Sequence, residues 1–145
     1  MRTRLILALV AGAGLLGRAP DAHAQTYANQ VLQQLEAMSQ AQRGFTLENY
    51  IIGHLAQGRA DSWTFALAEN TKYLITGACD TDCSDVDIIV EDANGDVVVK
   101  DDTEDDVPVV TIETKAAGQY TVNVYMYTCE TKTCYFGFGL MKQAR

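Results

Sequence analysis

Asp85-Val86-Asp87-Ile88-Ile89-Val90-Glu91-Asp92-Ala93-Asn94-Gly95-Asp96-Val97-Val98-Val99-Lys100 reads as strand, turn, strand. Val86, Ile88 and Val90 alternate with polar or outward positions, which places them on one face of a β-strand. Asn94-Gly95, centred in Asp92 to Asp96, has the chemistry of a tight hairpin turn. The same rhythm continues in both directions from this hairpin. Short apolar stretches are broken by turn residues at intervals of about eight to twelve positions. Strands are expected near 47–55, 62–68, 72–79, 85–91, 96–100, 107–114, 118–128 and 134–141. Alternation puts Trp63, Phe65 and Leu67 on one face, and likewise Val122, Val124 and Met126. These are core positions. Tyr125 and Tyr127 point the other way and are candidates for a contact surface. Pro108 falls at a strand start, where its missing N–H is harmless. The pattern predicts a mainly β, antiparallel sandwich or barrel of about eight strands over residues 45–145.

Upstream of the strands the period changes. Tyr27, Val31, Leu35 and Met38 recur at three- and four-residue steps, with Leu32 beside them and Gln, Glu and Ser on the other face. This is an amphipathic helix, expected over Thr26 to Arg43 within a segment 25–44 and ended by Gly44. Its apolar stripe is expected to pack on the β domain; the alternative is a mobile arm that docks a partner. Residues 1–24 have the marks of a secretory signal peptide: Arg2 and Arg4, an apolar run from Leu5 to Gly17, and Ala22-His23-Ala24 as a small-x-small cleavage site. The apolar run is too short to span a bilayer as a helix. The chain is therefore expected to be exported, to the periplasm or beyond the cell.

All four cysteines follow this leader, in two close pairs: Cys79 with Cys83, and Cys129 with Cys134. In an oxidising compartment this reads as two disulfides. Four cysteines allow three connectivities, and local pairing is the expectation. A four-cysteine zinc site would also use two close pairs, but usually with two residues between the members of each. No redox-active Cys-x-x-Cys is present.

Beyond the leader there are 8 basic and 18 acidic residues, a net charge of −10. Phosphate-rich partners would be repelled, which argues against nucleic acid and anionic membrane and favours cations or basic proteins. The acids are also clustered. Between Cys79 and Asp106, 12 of 28 residues are Asp or Glu, and Lys100 is the only base.

Three segments resemble the bacterial pre-peptidase C-terminal domain family. Ile51-Ile52-Gly53-His54-Leu55-Ala56-Gln57-Gly58 followed by Asp61-Ser62-Trp63-Thr64-Phe65-Ala66-Leu67 is similar to its Gly-x-Leu-x-x-Gly turn, Asp and aromatic strand. Asp85-Val86-Asp87 through Gly95 resembles its Asp-x-Asp strand, and Ala116-Ala117-Gly118-Gln119-Tyr120-Thr121-Val122 its small-Gly-x-Tyr strand. The likeness spans about residues 50 to 141. It implies a jelly-roll-like β-sandwich of the kind that hangs on exported enzymes. It also implies a possible ligand, since some relatives bind calcium and others collagen or polysaccharide. The chain departs from the family in its cysteine pairs and in Glu69-Asn70, which stands where a Gly is common.

If consecutive strands alternate direction, the loops at 56–61, 80–84, 101–106 and 129–133 meet at one end, with both cysteine pairs and most of the loop acids. The Asn-Gly hairpin then lies at the other end. Crowded carboxylates raise one another's pKa and cost stability unless a cation neutralises them. Calcium, which accepts six to eight oxygens in irregular geometry, suits such an end, and Asp80, Asp82, Asp85, Asp101 and Asp102 are the candidate ligands. The EF-hand template is not matched. Tyr125, Tyr127 and Tyr135 are candidates for a binding surface.

No catalytic constellation is evident. His54 is the one histidine after the leader and falls in a strand, and no Gly-x-Ser-x-Gly elbow or phosphate-cradling glycine loop occurs. Two expectations follow. One is a non-enzymatic exported binding module that holds calcium and contacts a glycan or extracellular protein. The other is an envelope protein that caps, inhibits or assists a secreted enzyme through its acidic rim and N-terminal helix.

Overall fold

The structure, a computed structural model, describes residues 22–144. The element order is α1 (Ala22–Ala41), β1 (Phe45–Leu55), β2 (Arg59–Leu67), β3 (Thr71–Cys79), β4 (Cys83–Glu91), β5 (Val97–Asp101), β6 (Val109–Thr114), β7 (Gly118–Cys129) and β8 (Cys134–Gln143). Helix α1 opens four residues before the expected Thr26, because Ala22 to Gln25 offers no helix breaker. The signal peptide expected over 1–24 lies outside the described residues except at Ala22 to Ala24, which open this helix. Gly44, at φ +85°, turns the chain out of the helix, a conformation that costs glycine nothing.

Eight strands form two four-stranded sheets in the orders β1-β8-β3-β6 and β2-β7-β4-β5, with every pairing antiparallel. This is the strand order of a jelly roll, two Greek keys folded into facing sheets. The inner faces carry the alternating residues read from the sequence. Val86, Ile88, Val90, Val122, Val124 and Met126 come from one sheet and Ile75, Phe136, Phe138 and Leu140 from the other, all nearly fully buried. Trp63 packs its ring on Phe136 and Phe138, and Phe65 meets Phe138 edge-on. The Asn-Gly hairpin forms as expected: Gly95 takes φ +85°, and the Asp92 carboxylate accepts the Asn94 and Asp96 amides.

The two sheets differ on their outer faces. Helix α1 lies across β1, β8 and β3, burying Val31 and Leu35 against Ala78, with Met38, Ile52 and Tyr135 at the margin. Gly137 makes this close approach possible. A Cβ there would sit 2.8 Å from both Leu35 Cδ1 and Val31 Cγ1. The helix stripe is thus spent on the protein's own sheet. Among the described residues no such layer covers β2-β7-β4-β5, where Tyr127 is 59 % exposed and Asp87 is half-buried. Among the described residues no helix is long and apolar enough to cross a membrane.

Candidate functional site: the acidic loop end

The loops after β1, β3, β5 and β7 gather at one end, since Cys83 faces Cys129 across β4 and β7 while Leu55 faces Cys134 across β1 and β8. Both disulfides close here with local pairing, Cys79–Cys83 and Cys129–Cys134. Each clamps the start and end of one loop.

The five acids expected to form one site fall into two groups. Asp80 and Asp82 lie in the loop between β3 and β4, on the side facing α1 and β8. Asp80 is only 2 % exposed, and its carboxylate is fully engaged: Tyr135 N–H donates to Oδ2 at 2.7 Å and Asp82 N–H to Oδ1 at 3.2 Å. Burial pushes its pKa up while these amides pull it down, and the rise prevails. Asp82 faces Tyr27 of α1. Its charge pushes the Tyr27 phenol up, with burial adding to the effect. Tyr135 lies on this side too, stacked on Tyr27 with ring centroids 6.2 Å apart and touching His54 at 5.5 Å. It is half-buried at the edge of the helix, apart from Tyr125 and Tyr127, so the three tyrosines do not share a surface.

Asp85, Asp101 and Asp102 belong to the other sheet and its loop. Asp101 organises that loop. Its Oδ1 accepts the Thr103 hydroxyl at 2.6 Å and its Oδ2 the Val109 amide at 2.8 Å. Partial burial works against its charge, but these donors hold its pKa below the usual range. The loop folds back over the start of β4, where Val86 N–H donates to the Asp105 carbonyl at 3.1 Å. Under it lies Asp85, 5 % exposed, at a register shift where β4 and β7 fall out of step. Its Oδ1 is buried with no hydrogen-bond partner, the one such side-chain oxygen or nitrogen among the described residues. Burial raises its pKa, and the charges of Glu104 and Asp105 raise it further.

Asp85 forms one wall of an open depression of about 420 Å³, lined also by Asp87, Asp102, Glu104 and Tyr127. Asp87 is pushed up to about 6, by burial first and then by Asp85, Asp102 and Asp101, with Lys100 opposing. Lys100 itself is paired with Asp102. Asp87 and Glu104 were not among the expected ligands. The signal for Asp87 was present in the alternation: once Val86, Ile88 and Val90 face the core, Asp85 and Asp87 must share the outer face. Nothing in the sequence marks Glu104, whose place depends on how the loop folds back. Among the described residues no group of three His, Cys, Asp or Glu side chains is arranged to hold a metal ion.

The fold defines the class: an antiparallel jelly-roll β-sandwich with its acids gathered at one end. No family model matches the chain, and no curated protein matches its sequence. Among solved structures it is similar to the pre-peptidase C-terminal domain of a collagenase from Bacillus anthracis, with TM-score 0.54 and 16 % identity over 65 % of this chain and 89 % of that one. It is also similar to PliG, a periplasmic inhibitor of g-type lysozyme from Aeromonas hydrophila, with TM-score 0.50 and 10 % identity over 66 % and 85 %. At these identities the likeness establishes the shared sandwich, which agrees with the motif resemblance at the level of fold.

Proposed function

We propose that this protein is an exported, non-enzymatic binding module whose acidic end engages a positively charged surface on an exported protein. The observation that carries this reading is the depression walled by Asp85, Asp87, Asp102 and Glu104, of which Asp85 keeps one buried oxygen without a hydrogen-bond partner. A buried acceptor without a donor is costly, and a cationic donor from outside relieves that cost. Two disulfides stiffen the same end, which favours a preformed surface. The PliG likeness supports the choice of a protein partner, because there the same architecture serves as an inhibitor of g-type lysozyme. The apolar stripe of α1 is occupied, so the partner is met by the acidic rim and by Tyr127 rather than by that stripe.

Calcium is a second reading, favoured by the same orphan oxygen and by the density of carboxylates around it. A glycan stacked on Tyr125 and Tyr127, whose rings lie 6.0 Å apart, has only that pair to support it.

Titration of the disulfide-intact protein with basic exported enzymes, g-type lysozyme among them, tests the main reading. Binding through the rim should weaken at least about tenfold between roughly 20 and 200 mM salt. Binding indifferent to salt, or none at low salt, would overturn it. Thermal unfolding in EDTA and then across a calcium series, with magnesium as control, tests the second reading. A ligand at about 100 times its Kd adds roughly 2.7 kcal/mol and moves the midpoint by several degrees, so a flat midpoint removes calcium.

A further inference from the structure

We infer that the depression between β4, β7 and the loop after β5 is a receptor for a single arginine side chain of the partner. This rests on the reading of the acidic end given above and adds the chemistry that the site selects.

Shape comes first. About 420 Å³ is far more than a bare ion fills and is ample for a guanidinium with part of its stem. A calcium ion would need oxygens drawn in to about 2.3–2.6 Å on all sides, and among the described residues no such set stands ready. The wall chemistry comes second. Asp85 and Asp87 project from alternate positions of β4 onto one face, with Asp102 and Glu104 arriving from the loop. Tyr127 stands beside them with most of its ring exposed. Carboxylates and an exposed aromatic ring in one depression are what a guanidinium uses, its N–H fork meeting oxygens while its plane lies on the ring. An ammonium, compact and strongly hydrated, uses the ring and the fork geometry less well.

The third element is the Asp85 Oδ1 atom, buried and without a donor. Among the described residues none donates to it, and Lys100, the only base between Cys79 and Asp106, is paired with Asp102. A guanidinium carries five N–H donors on a planar head, enough to serve the Asp85 carboxylate, once that side chain turns toward the depression, and Asp87 together.

Occupancy of the site should depend on pH. Asp87 is faced by Asp85 on its own strand, by Asp101, Asp102 and Lys100 from β5 and its loop, and by Tyr125 across β7. Its carboxyl is half-protonated near pH 6 in the free protein. Arginine binding should therefore be stronger at pH 7.5 than at pH 5.

The experiment uses three short, otherwise neutral peptides with arginine, lysine or citrulline at the centre. Each is titrated into the disulfide-intact protein at low salt and followed by calorimetry and by amide chemical shifts. The arginine peptide should bind with its largest shifts at Asp85 to Asp87 and at Tyr127, and citrulline should not bind. Lysine should bind about tenfold more weakly than arginine. Tyr127→Ala should weaken arginine binding about fivefold, and Asp87→Asn should reduce the gain between pH 5 and 7.5. Both variants alter outward side chains, so their folds can be checked by melting alongside. Equal binding of lysine and arginine would overturn the receptor while leaving capture of a basic partner intact. Failure of both cationic peptides at low salt would overturn the two readings together. Arginine shifts spread evenly over all the acidic loops, or unchanged in both variants, would overturn the location.

Discussion

Asp80 and Asp85 are the same residue type five positions apart, both almost fully buried and both pushed upward in pKa by that burial. Their surroundings differ. Asp80 lies beside α1, where the amides of Tyr135 and Asp82 fill its carboxylate. Asp85 lies beneath an acidic loop, with one oxygen left without a donor and an open depression beside it. A buried carboxylate whose acceptors are filled by the backbone is part of the scaffold, because it ties β3 to β8 at the mouth of a disulfide loop. One left unfilled raises the energy of the empty protein at neutral pH and lowers it again when a cation arrives. The count of acids does not separate these roles; the count of donors does.

The sharpest way to break the comparison is to delete each side chain. Asp80→Ala leaves two buried amides without acceptors and should cost about 3 kcal/mol, lowering the melting midpoint by roughly ten degrees. Asp85→Ala removes a charge that has no partner to lose. At neutral pH it should change stability by less than about 1 kcal/mol in either direction. Denaturant titration of the two variants side by side checks both. Similar losses would mean that Asp85 is held by interactions as good as those of Asp80, and the contrast would fail.

A smaller effect separates the two regions by their cover. Gly137→Ala places a Cβ 2.8 Å from the tips of Leu35 and Val31 and 2.9 Å from the Ile51 carbonyl oxygen, so α1 or its side chains must give way. The expected cost is about 2 kcal/mol. Hydrogen exchange should quicken at the Asp82 and Tyr135 amides, which serve Asp80 beside the helix. It should stay unchanged at Val86, whose amide is held by the loop on the other sheet. Faster exchange at all three would mean that the two sides of the acidic end open as one unit.

Much of this fold was legible because the strands announce themselves. Alternation at Val86-Ile88-Val90 and Val122-Val124-Met126, punctuated by Asn94-Gly95 and Gly118, placed every strand within a few residues. The widest miss was β2, which opens at Arg59 rather than Ser62 because Gly58, at φ +72°, turns the chain earlier. The jelly-roll pairing of β1 with β8 rests on contacts some ninety residues apart and came only from the resemblance. The site was less legible. Tyr135 alternates with buried Phe136 and so reads as outward, which it is. Strand periodicity does not show that α1 covers that outer face. The acids of the loops suggest one cluster, whereas Asp80 and Asp82 turn toward Tyr135 and Tyr27, and Asp85, Asp101 and Asp102 gather at the loop after β5. Asp87 was overlooked because it sits mid-strand, where a carboxylate resembles ordinary solvent-facing filler.

The smallest effect is the most diagnostic of charge. Asp87 is raised from its ordinary 3.8 to about 6, so the folded protein binds a proton more tightly than the unfolded chain. The cost of that site is absent below about pH 4, grows as pH rises toward 6 and is complete above it. Asp87→Asn, which carries no charge at any pH, should therefore match the native protein near pH 4. At pH 7.5 it should exceed it by about 1 kcal/mol, after allowance for solvent screening at a half-buried group. Melts at a series of pH values would show the gap opening through that window. A gap that is constant with pH would mean that Asp87 titrates normally and that its neighbours impose no cost. Where the gap does open, a saturating arginine peptide should close it at pH 7.5 by supplying the missing counter-charge. The same peptide should raise Asp80→Ala only as much as it raises the native protein and leave the gap between those two open, because the donors that Asp80 serves lie inside the protein and no ligand can replace the acceptor they have lost.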